Sequence, residues 1–290
     1  MPLDIAHEHR NYLPGVILIL AITAHTYKYL SDYALTLKIA AVGIGIVVLS
    51  ISTYTRATQW GSTYIHTTNE AKNHPDSYRA NYEAGTMHAF LSEKDIVRKE
   101  THYNRASTYF TTAARLKSNS TSPLTSQIIL NYKNNKETMP SLISSLTSRL
   151  EKSTPEKNRA GVLIGLINCQ RSQVCKLPYK TLEQLVKSAI QNPLSPTHQK
   201  AKLLATQAYL LANAGSYDKA LNSLKLATEN APLNTGIRIN LIEILIETKR
   251  FKEATKEINK ALSLNKQPIY NKKLLSLMEI ARNNQHESRK

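Results

Sequence analysis

The sequence predicts an all-α chain: two N-terminal transmembrane helices followed by a solenoid of stacked helical hairpins. Three observations predict it. Residues 201–268 read as two copies of one 34-residue unit, in which Leu211 matches Leu245, Tyr217 matches Phe251, Ala220 matches Ala254, Leu224 matches Ile258 and Ala227 matches Ala261. A period of 34 with small residues at fixed places is the signature of stacked helical hairpins. Two apolar runs lie before residue 60, and apolar stripes of helical period recur between 76 and 191.

The first apolar run covers Tyr12 to Leu30, densest over Val16–Ile22, and the second covers Ile39 to Tyr54 with no charge between Lys38 and Arg56. A spanning helix needs about 20 mainly apolar residues. Both runs reach the low end of that range if their Tyr, Thr and Lys flanks sit at the interface. His25 and Lys28 fall late in the first run, where a long side chain can reach the interface. Ala41 and Gly45, four apart, form a small-residue face on which another helix can pack. The rival reading of the first run is a cleaved signal peptide. It lacks a basic n-region and a small-x-small cleavage site, and it leaves the second run unexplained. Two spans put both chain ends on one side. The linking loop holds two Lys and one Asp against Arg10 alone in the N-terminal tail. The positive-inside rule therefore predicts a cytoplasmic loop and an extracytoplasmic C-terminal portion, by a margin of one charge.

A resemblance rests on the residues around these runs. His7-Glu8-His9-Arg10-Asn11-Tyr12-Leu13-Pro14 precedes an apolar run. Gln59-Trp60 and then Asn73-His74-Pro75-Asp76-Ser77-Tyr78-Arg79-Ala80-Asn81-Tyr82-Glu83-Ala84-Gly85 follow in order. This arrangement resembles the last luminal loop, final spans and linker of the bacterial protein O-mannosyltransferase-like membrane proteins, which end in a tetratricopeptide domain. It covers roughly residues 5–90. That family's catalytic acids lie between early spans absent from this chain, so the resemblance implies no catalytic residue. It does imply an extracytoplasmic repeat domain.

Past residue 60 the chain carries almost all of the net charge of +17, since residues 1–60 hold four Lys/Arg against three Asp/Glu. A basic surface attracts nucleic acid, anionic lipid or acidic protein, and charge alone does not choose. Asp76 or Ser77 can cap a helix running from Tyr78 towards Phe90. A partner helix fits Lys99 to Lys117, with Tyr103, Ala106, Phe110 and Ala113 repeating the spacing of Tyr217, Ala220, Leu224 and Ala227. The pair is one more hairpin, about nine residues longer between its helices than the 34-residue unit. Pro123 to Lys152 reads as two short helices broken near Asn134-Asn135 and Pro140. Thr154-Pro155 signals a helix start, running to about Asn168, with Gly161 and Gly165 on a face open to close helix contact. Lys180 to Gln191 carries a clean helical stripe.

Cys169 and Cys175, the two cysteines of the chain, bracket the turn between those last two helices. The readings weighed are a structural bridge, two buried thiols, and a redox or metal pair. The C-x5-C spacing lacks the C-x-x-C geometry and has no His beside it, which disfavours the third.

In the 34-residue units, Ser195-Pro196 gives a cap and first-turn proline for a helix over 197–213. Gly215 supplies the turn, and a second helix runs from Tyr217 to Glu229. In the next unit Ile237, Ile239, Leu241, Ile242, Ile244, Leu245 and Ile246 cover most of the helix circumference, which suits burial by neighbours on several sides. Ile269 to Ala281 closes the stack, and Arg282 to Lys290 is expected as a frayed polar tail. The first helices of such hairpins line a concave face, on which matching positions place Arg79, Tyr82, Lys202, Tyr209, Asn213, Glu243 and Glu247. Their chemistry suits a peptide, against the alternative of ordinary solvated residues.

No phosphate loop, H-E-x-x-H, G-x-S-x-G or paired C-x-x-C occurs. His7 and His9 lack a third metal ligand in the sequence. The expectation is a non-enzyme with no cofactor and no metal, for which nucleic acid and small-molecule substrates are disfavoured. The domains expected are a membrane anchor with two spans (1–60), divergent helical hairpins (61–200), and two tetratricopeptide-like repeats with a closing helix (201–290). The expected role is a membrane-anchored scaffold holding a protein or peptide on the periplasmic side of the inner membrane. The alternatives are an accessory or detached part of a multi-span glycosyltransferase, and a cytoplasm-facing adaptor for acidic partners.

Overall fold

The computed structural model describes residues 21–22, 24–25, 28–29, 35–155, 159–264 and 268–287. The chain divides into two units, Met1–His66 and Thr67–Lys290. In the first, helix α1 (Leu35–Gly61) is exposed along its length wherever its side chains are described. Its stretch Leu35–Thr55, 21 residues long, is apolar enough to cross a membrane. Among the described residues it is the one such helix, where the sequence predicts two. The run Tyr12 to Leu30 falls largely outside the described residues, as do His7, His9 and the side chain of Ala41. Gly45 has open space around the position a Cβ would take. Near the end of α1, Trp60 stacks on His66 with ring centroids 4.6 Å apart. Helix α2 covers Thr63–Asn73.

In the second unit the described residues form five pairs of α-helices and a closing helix. They are α3 (Tyr78–Lys94) and α4 (Lys99–Leu116), α5 (Ser122–Lys133) and α6 (Pro140–Lys152), and α7 (Arg159–Arg171) and α8 (Tyr179–Gln191). Then come α9 (Thr197–Asn213) and α10 (Tyr217–Asn230), α11 (Thr235–Glu247) and α12 (Phe251–Leu264), and the closing helix α13 (Asn271–Glu287). Each odd-numbered helix from α3 touches the next, giving the series α3, α5, α7, α9, α11, α13. Among the even-numbered helices α6 packs on α8, while α4, α10 and α12 each pack on the partner within their hairpin. The odd series is one layer of a hairpin stack, whose continuous core forms because no hairpin buries its apolar faces alone.

Four of the five pairs matched by the 34-residue shift lie in the core of the distal stack, while Tyr217 and Phe251 are half-buried. Leu211, Leu245, Ala220, Ala254, Leu224, Ile258, Ala227 and Ala261 are all buried in one apolar cluster. The Ile-rich α11 packs against α9, α10, α12 and α13, as an all-round apolar helix must. A second cluster joins α5–α8 to the inner face of α9 through Leu203 and Leu210.

Four odd-numbered helices end in the same turn. Asn135, Gln173, Gly215 and Lys249 follow α5, α7, α9 and α11, each with φ between 54° and 73°. In each, the amide of that residue bonds the carbonyl three back, and the next amide reaches the carbonyl five back, as in Gly215 N to Ala212 O and Ser216 N to Leu211 O. This double closure satisfies carbonyls that the helix end leaves open. Only Gly215 adopts the left-handed conformation without a Cβ penalty.

Several local expectations change. Ser77 caps α3, its Oγ accepting from Ala80 N at 3.3 Å. Ser195 does not cap α9; its hydroxyl donates back to Ala189 O, and Pro196 occupies the cap position. Helix α3 extends to Lys94, so most of the extra length of the first hairpin is helix and the turn is short. Gly165 is exposed and meets no neighbour, while Gly85 is the close contact: a Cβ there would lie 2.7 Å from Phe110 Cδ1.

Buried polar side chains tie one hairpin to the next. Arg149 of α6 donates to Ala114 O and Ser120 O at the end of α4. Arg159 of α7, fully buried, donates to Leu150 O and Ser153 O at the end of α6, and Asn192 donates to the same two carbonyls. Inside the first hairpin, buried His88 and His102 meet Nδ1 to Nδ1 at 2.8 Å, with Tyr109 stacked on His88. Burial first, then the charges of His102 and Arg105, push the His88 imidazole down to about 4.

Candidate partner-binding groove

The face expected to bind a partner is built by α7, α9 and α11. Its side chains follow from helical spacing. Lys202, Tyr209 and Asn213 recur at seven and four residues along α9, and Asn240, Glu243 and Glu247 at three and four along α11. Such spacings bring residues to one side of a helix. The small residues Ala205, Ala208 and Ala212 on α9 leave room between the helices, and two adjoining cavities of about 530 and 520 Å³ open there. The cavities share Ala205, Tyr209 and Asn240, so they form one groove.

The ends of the groove differ. In one cavity, Arg171 of α7 and Lys202 of α9 share the lining with Asn168 and the first turn of α11. In the other, Glu243 and Glu247 of α11 face Asn213 and Tyr217. Tyr217 donates its hydroxyl to Glu247 Oε1 at 2.8 Å, and that bond raises the phenol above its usual value. Glu243 pairs with Lys273 of α13 at 2.9 Å. Tyr209 stands exposed in the middle.

Of the seven residues placed on the concave face by sequence, Lys202, Tyr209, Asn213, Glu243 and Glu247 line this groove. Arg79 and Tyr82 do not. Arg79 pairs with Glu83 at 2.8 Å, and Tyr82 packs on Phe110 and Tyr78 with its hydroxyl 3.2 Å from Ser126 Oγ. Sequence reasoning missed Arg171, Asn168 and Asn240. Asn240 lies three residues before Glu243 on the same face, a signal that was present; Arg171 and Asn168 needed the packing of α7 beside α9.

Cys169 and Cys175 are joined by a disulfide with Cα atoms 5.2 Å apart. The bridge closes the end of α7, where Val174 N and Cys175 N both donate to Cys169 O. It lies two residues from Arg171 in the sequence. No group of three or more His, Cys, Asp or Glu among the described residues is arranged to hold a metal.

The motif behind the family resemblance is occupied with structure. Asn81 donates to Pro75 O and Ser77 O, fixing the turn before α3, and Gly85 admits Phe110.

A stack of paired helices with a concave groove defines the class: a helical-repeat protein of the kind used for contacts between proteins. More particularly, the tetratricopeptide repeat family matches residues 211–277, and the chain contains tetratricopeptide repeats there. Among solved structures it is similar to yeast Tom70, at 18% identity and TM-score 0.49, over 77% of this chain and 43% of that one. It is also similar to Pseudomonas aeruginosa pilF, at 12% identity and TM-score 0.37, over 70% and 90%. A third likeness is the P58(IPK) TPR domain, at 16% identity and TM-score 0.32, over 80% and 63%. The chain thus spans less than half the length of the Tom70 chain it matches. No curated protein matches it.

Proposed function

We propose that the chain is a membrane-anchored tetratricopeptide-repeat scaffold that holds a protein or peptide partner in the groove of α7, α9 and α11. The observation that carries this reading is the groove itself. It is wide, lined by exposed amides, a tyrosine and charges of both signs, and it needs no reactive group to bind a chain. The apolar and exposed α1 supports an anchor. The disulfide supports an oxidising compartment, hence the periplasmic side of an inner membrane. Reporter fusions at Lys290 test the side: activity of a periplasm-dependent reporter is expected, and activity of a cytosol-dependent one alone would overturn it.

A finer reading makes the chain an accessory or detached part of a multi-span glycosyltransferase. The resemblance over residues 5–90 supports it, and so does the open space around Gly43 and Gly45, onto which another span could pack. Co-purification of a multi-span protein in mild detergent, lost on Gly45→Leu, is the expected result. Its absence from the wild-type preparation contradicts the reading. A cytosolic reporter result would favour the third role, an adaptor for acidic partners.

A further inference from the structure

The groove is polarised, and that polarity specifies the charge order of what it holds. Resting on the scaffold reading above, we infer that its occupant is an extended peptide segment with a Lys or Arg at the Glu243/Glu247 end and an Asp or Glu four to six residues away at the Arg171/Lys202 end.

Three observations converge on this. The charges are segregated: one cavity has two carboxylates and no Lys or Arg in its lining, the other has Arg171 and Lys202 and no Asp or Glu. In a chain with 38 Lys/Arg against 21 Asp/Glu, a cavity whose charged lining residues are both acids runs against the general surface charge. It draws in a cation that the rest of the surface repels. Helices α9 and α11 are oriented to match. The basic cavity takes Lys202 to Tyr209 of α9 and Gly236 to Asn240 of α11, and the acidic cavity is set further along both, at Ala205 to Asn213 and Asn240 to Glu247. The aligned peptide dipoles of both helices therefore add positive potential at the basic end and negative potential at the acidic end. Along the groove, Asn168 in the basic cavity, Asn240 shared by both and Asn213 in the acidic cavity are exposed and have no hydrogen-bond partner among the described residues for their side chains. Each amide offers a donor and an acceptor, which suits the paired N–H and C=O groups of an extended backbone.

The spacing follows from helix geometry. Lys202 and Asn213 are eleven positions apart on α9, about 16 Å along its axis at 1.5 Å per residue. An extended peptide covers about 3.3 Å per residue, so about five residues separate its two charges. At the acidic end the incoming cation lies near Tyr217, an aromatic ring that can add cation–π attraction. There it competes with Lys273 for Glu243.

The test is panning of a random dodecapeptide library on the full chain in nanodiscs, followed by affinity measurement on the enriched peptides. The expected result is a shared pattern of Lys/Arg and Asp/Glu four to six residues apart. Affinity should fall at least tenfold in Glu243→Gln/Glu247→Gln and severalfold in Lys202→Gln. It should rise in Lys273→Gln, which removes the competing cation and which a merely structural role would not produce. Replacing the peptide cation by Glu should abolish binding to wild type and restore it to Glu247→Lys. Enriched peptides that lose binding in Tyr209→Ala but show no charge order would overturn the inference and leave the groove reading standing. No enrichment, or binders indifferent to Tyr209→Ala, would overturn both.

Discussion

At the residue scale, His88 and Gly85 hold the first hairpin in ways that can be measured. His88 is buried neutral, and its imidazole is held down to about 4 against an ordinary 6.5. Between those values the unfolded chain binds a proton that the folded chain refuses. The stabilisation is therefore complete above pH 6.5 and is lost as pH falls towards 4, by up to about 3 kcal/mol. Thermal unfolding of α3 and α4, followed by hydrogen exchange, should weaken steeply between pH 7 and 5, and His88→Gln should flatten that slope. An unchanged slope would show that the pair does not carry it. Gly85→Ala forces a methyl against the buried ring of Phe110, and overpacking of this kind costs about 1–3 kcal/mol. A denaturant midpoint equal to wild type would contradict that packing. Neither feature stood out in the sequence, because a lone His on an apolar face and a Gly within a helix gain meaning only from what lies across the hairpin.

At the scale of elements, the recurring left-handed turn explains why only part of the stack was legible. Asn135, Gln173, Gly215 and Lys249 close the same turn at intervals of 38, 42 and 34 residues. A search for a fixed period finds the last interval and misses the first two. The sequence likewise marks only Gly215, since Asn, Gln and Lys occupy the other three positions at a conformational penalty. Lys249→Gly should relieve that penalty and stabilise the last repeat by about 0.5–1 kcal/mol, while Gly215→Ala should destabilise by a similar amount. Calorimetry on the two variants gives opposite shifts if the turns are equivalent. The ties between hairpins were also hidden, because an Arg reads as surface until three-dimensional packing buries it. Arg159→Ala leaves buried carbonyls at the end of α6 without that donor and should cost about 2–4 kcal/mol. Lys there should not rescue, since one ammonium does not reproduce the guanidinium fork. Removing the Cys169–Cys175 bridge frees a short loop of the unfolded chain, worth about 2 kcal/mol in the chain-entropy account.

Across the whole molecule, the hairpin order, the 34-residue core pattern and five of the groove residues were readable from spacing, since helical period fixes which side chains share a face. The division of the groove into a basic and an acidic end was not. It arises from α7 lying beside α9, a contact between segments that share no sequence pattern. Of the two apolar runs only one can be compared: the apolar composition of α1 is plain in the sequence and in the helix, while the earlier run lies largely outside the described residues.

The central claim is that a protein partner occupies the groove of α7, α9 and α11. The most direct measurement is photocrosslinking in intact membranes, with a benzoyl-phenylalanine placed at Tyr209, at Glu247, or at exposed Val97 in the turn between α3 and α4. The account predicts discrete protein adducts from Tyr209 and Glu247 and none of the same size from Val97. Absence of adducts at both groove positions, or an identical adduct pattern at all three, would contradict it.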